Sequence, residues 1–188
     1  MAARPSTRSK RLTAAQFERI AANLGPCELV RGEIVTMSPG GMGHSSVSMM
    51  VAGLLWEWAR RQRCGRVLTN EFGVITRTAP DTVRGADIAY YSYERLPRDT
   101  EEEGFLAVPP NLVVEVVGVA SSWRQLLEKA GEYLVMGVDR VWIVDPKRRC
   151  VCIVRPDQEP IVLNDKQTLT DAAVLPKFKC RVRDFFAR

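Results

Sequence analysis

The strongest constraint on this chain is a carboxylate in an apolar setting. Residues 112–117 read Leu-Val-Val-Glu-Val-Val, which places Glu115 inside a short, β-branched, hydrophobic run. Such a run reads as a strand buried on both faces, the kind found inside an α/β sheet. An isolated ionised carboxylate there would cost several kcal/mol or more. The fold must therefore bring Glu115 a cation, a set of donors or a shifted pKa. That makes Glu115 the leading candidate for a functional carboxylate; the plainer reading is a salt-bridged core glutamate.

Two further groups lie close in sequence. Asp87 precedes a short predicted strand, Ile88-Ala89-Tyr90-Tyr91, with Arg84-Gly85-Ala86 as a flexible lead-in. An aspartate at a strand start is also an ordinary turn residue. The spacing of Leu126, Leu127, Ala130 and Leu134 predicts a helix over 122–136. Lys129 flanks that apolar face. It suits an amine reaching towards the sheet, and equally a lysine with its stem on the core edge and its head in water. Gln125 and Tyr133, each four residues from Lys129, are candidate neighbours of a site or simply packing residues. The order of strand, helix and a second strand at Val141–Val144 indicates a βαβ crossover. The expected class is α/β, a mixed sheet flanked by helices.

The remaining chain supplies the other layers. Thr13 is placed to cap a helix running to about Leu24, with Phe17, Ile20 and Ala21 inward. Cys27 to Met37 reads as a hairpin turning at Arg31-Gly32. His44 begins a helix to about Gln62, with Val47, Met50, Val51, Leu54, Leu55 and Trp58 as its core stripe. The Gly-rich loop before it, residues 38–43, lacks the Lys-Ser/Thr of a phosphate-cradling loop. Arg66 to Thr76 reads as a strand broken by Asn70, Glu71 and Gly73. Residues 98–104 form an acidic, solvated connection. Strands at 150–154 and 160–163 extend the sheet antiparallel, and Asp184-Phe185-Phe186 docks aromatics on the core. Residues 1–12 read as a flexible basic tail and 13–188 as a single domain.

Composition removes several function classes. The 188 residues fit one domain with a proper core. No apolar run approaches the ~18 residues of a membrane span, and the N-terminus lacks the apolar segment of a secretory signal, so a cytoplasmic protein without a membrane partner is expected. The five cysteines are scattered, with no CxxC pair, which argues against a disulfide framework or a tetrahedral zinc site. His44 is the only histidine, so no paired-histidine metal motif exists, and no GxSxG pattern supports a Ser-His-Asp triad. A net charge of +5 suits a polyanionic partner without requiring one.

The ordered set Asp87, Glu115, Lys129, Tyr133 and then Gly137-Val138-Asp139-Arg140-Val141-Trp142-Ile143-Val144-Asp145-Pro146 resembles the Uma-type family of restriction-endonuclease-like proteins, within the PD-(D/E)XK nuclease superfamily. The resemblance extends to Glu28 through Pro39, to His44 and to Val174-Leu175-Pro176, nearly the whole chain. It implies a restriction-endonuclease-like core and a nuclease site built from Asp87, Glu115 and Lys129. The family's lysine commonly follows the acid on its own strand. Val117 holds that place here, and the resemblance implies a lysine moved to the helix at Lys129. It also implies Glu28 as an additional acid and a substrate-side place for His44, where the residues alone read equally as a solvated strand glutamate and more readily as a structural histidine. Two departures stand out: Ala86 where the family has proline, and Gly118-Val119-Ala120-Ser121 where it commonly has Ser-Pro-Ser-Asp.

Two acids and an amine suit phosphodiester hydrolysis. Mg²⁺, with Mn²⁺ as a substitute, uses one or two carboxylates plus water and phosphate oxygens, and Asp87 and Glu115 would supply that pair. Lys129 would orient or deprotonate the attacking water, its pKa lowered by burial beside a metal. The expected function is a metal-dependent endonuclease acting on nucleic acid, DNA in the first instance, with a homodimer suited to double-strand cleavage. A nuclease-derived DNA-binding or assembly module that no longer cuts is the alternative; an enzyme acting on another phosphoester is a third.

Overall fold

The structure is a computed structural model and describes residues 11–101, 104–119 and 121–187. Most of the basic tail, along with Glu102, Glu103 and Ala120, lies outside the described residues.

The chain opens with helix α1, Ala14–Ala21, closed at its start by a capping box in which Thr13 accepts from the Gln16 amide and the Gln16 side chain accepts from the Thr13 amide. The helix is shorter than its periodicity suggests. Asn23 and Leu24 donate to Ile20 and Ala21 in a turn, and Gly25 follows with a left-handed φ of 69°. Phe17 is buried as expected, but Ile20 is 37% exposed because the last helical turn overhangs the core.

Strands β1 (Cys27–Val30) and β2 (Glu33–Thr36) form the expected hairpin. Helix α2 runs Met42–Gln62 and buries Val47, Val51, Leu55 and Trp58. Strand β3 (Gly65–Arg77) then pairs antiparallel with β4 (Thr82–Ser92) along nearly its whole length. The polar residues in β3 do not break it; Asn70 and Glu71 form a bulge. Strand β5 is Leu112–Val116, buried throughout, and helix α3 is Trp123–Met136. Leu126, Ala130 and Tyr133 are the buried side of α3; Leu127 sits at its exposed margin, because Tyr133 takes the inward position. Strands β6 (Arg140–Asp145), β7 (Cys150–Arg155) and β8 (Gln158–Asn164) follow, with β9 (Thr168–Asp171), β10 (Leu175–Arg181) and a 3-10 turn over Val182–Phe186 at the end.

The main sheet has the order β2-β1-β4-β5-β6-β7-β8, with β3 paired to β4. Among the described strands only β5 and β6 pair in parallel, which is the βαβ unit around α3. One face carries α2, the β9–β10 hairpin and the terminal Phe185, packed on Ile88, Tyr90, Val114 and Trp142. The other carries α3, packed on Ala89, Val113 and Ile143.

Strand β4 changes neighbours part-way along. Its Val83 pairs with Leu29 of β1, whereas Ile88, Ala89 and Tyr90 pair with β5. Between them, around Gly85, Ala86 and Asp87, β1 and β5 diverge and the ladder has a gap. Buried backbone groups need partners, and side chains supply them here. The Gly85 amide donates to Glu28 Oε1 at 3.0 Å, and the Gly85 carbonyl accepts from Lys129 Nζ at 2.7 Å.

Candidate active site

The gap in the ladder is where the charged residues gather. Asp87 lies in the middle of β4 rather than at a strand start, since Arg84-Gly85-Ala86 is paired to β3 and is not a free lead-in. Continuing the β4–β5 register one step beyond Ile88↔Val114 sets Asp87 opposite Glu115. Asp87 Oδ2 accepts from the Val116 amide at 2.7 Å and lies 3.2 Å from His44 Nε2, at the start of α2.

Glu115 is 3% exposed. Its two oxygens have separate partners: Oε1 accepts from the Tyr133 hydroxyl at 3.0 Å, and Oε2 from Lys129 Nζ at 2.9 Å. Tyr133 and Lys129 are four residues apart on α3 and so fall on one face, over the strand. Lys129 Nζ is also 2.9 Å from Glu28 Oε1. Glu28 in turn receives Arg84 Nη1 on Oε2 at 2.7 Å. The rest of the Arg84 guanidinium forks onto Glu132 of α3, with Nε and Nη2 at 2.7 and 2.8 Å from its two oxygens.

Burial is the main force on Glu115. It pushes the carboxyl up to about 7, against the pull of Lys129 and with further repulsion from Asp87. For Lys129, burial favours the neutral amine, but Glu115 and Glu28 outweigh it and the pKa rises. Two carboxylates stand on the ammonium and hold its proton in place. Burial would also raise Glu28, yet Lys129 and Arg84 draw it below its ordinary value. His44 is raised by its hydrogen bond to Asp87, against burial. The Tyr133 phenol is pushed up by burial and by Glu115, and remains a donor.

Of the residues singled out from sequence, Asp87, Glu115, Lys129, Glu28, Tyr133 and His44 are brought together. Gln125 is not. It is the third residue of the α3 capping box, its Oε1 accepting from the Ser122 amide and hydroxyl, and it is exposed. Sequence reasoning missed Arg84, Glu132 and Glu71. Glu71 did carry a signal, an acid interrupting a strand. Asn70 and Glu71 both sit on the bulge at positive φ, 69° and 53°, and together oppose Asp87: Thr69 pairs Ile88 and Phe72 pairs Ala86, leaving two residues against one. Gly85 makes room for this bulge, since a Cβ there would lie 3.1 Å from Glu71 Cβ.

A cleft of about 310 Å³ opens on Asp87, lined also by His44, Ser48, Met49, Asn70 and Glu71. A second of about 390 Å³, lined by Phe17, Cys27 and Phe105, backs onto the same Asn70–Glu71 wall. Glu115 stands behind Asp87, inside the protein. Among the described residues no three His, Cys, Asp or Glu side chains converge as a ready metal cage.

A mixed sheet flanked by helices, with opposed carboxylates at the gap between two strands, defines a restriction-endonuclease-like α/β protein. The sequence matches the Uma2 family, described as "Putative restriction endonuclease", over residues 14–183, and the chain belongs to that family. No curated protein matches it. Among solved structures it is similar in fold to the crystal structure of "a putative nuclease belonging to DUF820" from Anabaena variabilis ATCC 29413, with a TM-score of 0.77, 19% identity, and coverage of 93% of this chain and 97% of that one. No helix among the described residues is long and apolar enough to cross a membrane.

Proposed function

We propose that the chain is a metal-dependent phosphodiester hydrolase, acting as an endonuclease on DNA. The observation that carries this reading is Glu115: a carboxylate 3% exposed, bonded to Lys129 and Tyr133 and set opposite Asp87 on the next strand.

The donor set suits a hard divalent cation. Five carboxylates, Glu28, Glu71, Asp87, Glu115 and Glu132, surround two permanent cations, Arg84 and Lys129, with His44 as a third when protonated. Arg84 serves Glu28 and Glu132, and Lys129 is shared between Glu28 and Glu115; Asp87 and Glu115 repel each other and gain from added positive charge. With no third acid converging among the described residues, the two would hold Mg²⁺ or Mn²⁺ in the manner that leaves coordination places for water and phosphate oxygens. When bound, such an ion binds a phosphate oxygen, lowers the pKa of water and offsets charge on the leaving alkoxide. The chain's own residues hold the site rigid. Tyr133 and Lys129 fix the two oxygens of Glu115, the Val116 amide fixes Asp87, and Lys129 and protonated His44 supply fixed positive charge where negative charge develops.

One observation favours the second reading, a nuclease fold that binds DNA without cutting. The ammonium of Lys129 has three donors, and Glu115, Glu28 and the Gly85 carbonyl match all three. The test is incubation with supercoiled plasmid in Mg²⁺ or Mn²⁺ at low salt, beside Glu115→Ala. Nicking or linearisation that disappears in the variant supports the hydrolase; equal inertness of both proteins overturns it in favour of the binding module.

A further inference from the structure

The exposed side of α2 carries an apolar ridge with no structural task. Met42, Met49 and Trp56 are 87%, 71% and 56% exposed and lie seven residues apart, so they stack along one side of the helix, away from its buried Val47, Val51, Leu55 face. The ridge passes the cleft at Met49, which lines it with Ser45 and Ser48, and ends among arginines. Arg60 lies over the Trp56 ring, its Cζ 5.3 Å from the centroid, and Arg63 caps the helix at a left-handed φ of 53°. Arg61 is paired with Glu57, the only acid in α2, and Arg66 spends its guanidinium on the carbonyls of Pro97, Arg98 and Thr100. Arg60 and Arg63 have no acidic partner among the described residues.

Charge decides what this surface fits. The outer side of α2 ends on Arg60 and Arg63, and the helix's one acid, Glu57, is taken by Arg61. A polyanion satisfies both arginines, at the end of the helix away from the cleft acids Asp87 and Glu71. From Met49 to Arg60 the helix rises about 17 Å, close to five base pairs of duplex at about 3.4 Å each.

We propose that the outer side of α2 is the docking track for duplex DNA flanking the cleft, with Arg60 and Arg63 on phosphates and Met49 and Trp56 against sugars and base edges. The inference rests on the nucleic-acid reading above and adds the surface that holds the substrate. Such a track positions DNA without reading sequence through phosphates.

The test uses the full, unmutated chain with a chelator, which withholds the divalent cation, and a labelled duplex oligonucleotide followed by anisotropy between roughly 50 and 200 mM salt. Adding Arg60→Ala with Arg63→Asn, the latter because asparagine tolerates the left-handed cap, should weaken Kd about tenfold or more and lower the salt slope by about two. Adding Trp56→Ala instead should weaken Kd with the slope kept, because an apolar contact neutralises no phosphate. Unchanged Kd and slope in the arginine variant overturn the track alone. Absence of any duplex binding by the parent also overturns it, while the hydrolase reading is judged separately, by plasmid nicking with the unmutated chain.

Discussion

Lys129 and Glu115 meet at 2.9 Å, with the amine on α3 and the acid on β5 beneath it. The pair ties the helix to the sheet as well as forming the site, and breaking it from one side leaves a charge stranded in the interior. Lys129→Met should destabilise the protein by about 3–5 kcal/mol, read from denaturant unfolding in the presence of a chelator. The double variant Lys129→Met with Glu115→Gln should recover much of the loss, because it removes both charges. A single variant as stable as the parent would contradict a buried, mutually dependent pair.

Stability should fall as pH rises through neutrality. The Glu115 carboxyl moves from an ordinary 4.5 up to about 7 on folding, so the folded state holds its proton more tightly. The corresponding stability is fully present below pH 4.5 and lost as pH rises through about 7, on the order of 3 kcal/mol in all. His44, raised from 6.5 by Asp87, acts in the same direction and loses its share as pH passes through its raised value. Thermal melts of the metal-free protein should therefore be higher at pH 6 than at pH 8, and Glu115→Gln should flatten most of that slope. Identical parent melts at the two pH values would mean that Glu115 is ionised throughout.

The acids should separate in a metal-binding experiment. Glu28 gives its oxygens to Arg84, to the Gly85 amide and to Lys129, whereas Asp87 opens on the cleft. Mn²⁺ titration followed by electron paramagnetic resonance should show Asp87→Asn weakened about tenfold or more, near 1.4 kcal/mol, with Glu28→Gln close to the parent in its folded fraction. The reverse order would make Glu28 the ligand and Asp87 the structural acid.

What the sequence revealed followed from how costly each residue is in its place. Glu115 was legible because an acid in a β-branched run has no inexpensive explanation. Lys129 was legible in position, yet its charge state was not, since that depends on Glu28, a hundred residues away along the chain and adjacent only through the neighbour change of β4. Arg84 read as part of a flexible lead-in because Gly85 follows it; in the fold that glycine is required by the facing bulge. Asn70 and Glu71 looked like a break because a bulge and an interruption share the same polar letters. Gln125 looked like a site neighbour by helical spacing, but it is the third residue after Ser122, and the cap claims it first.

The divergence of β1 and β5 along β4 has a consequence for how such a protein can change over generations. Glu28 and Lys129 stand in for the strand that would otherwise bond Gly85, so the sheet needs them whether or not a phosphate is ever cut. A descendant can change Asp87, which opens on the cleft, more readily than Lys129 or Glu115, which hold each other in the interior. Their retention among kin would measure the needs of the scaffold, and the residue at position 87 would bear on the hydrolase proposal.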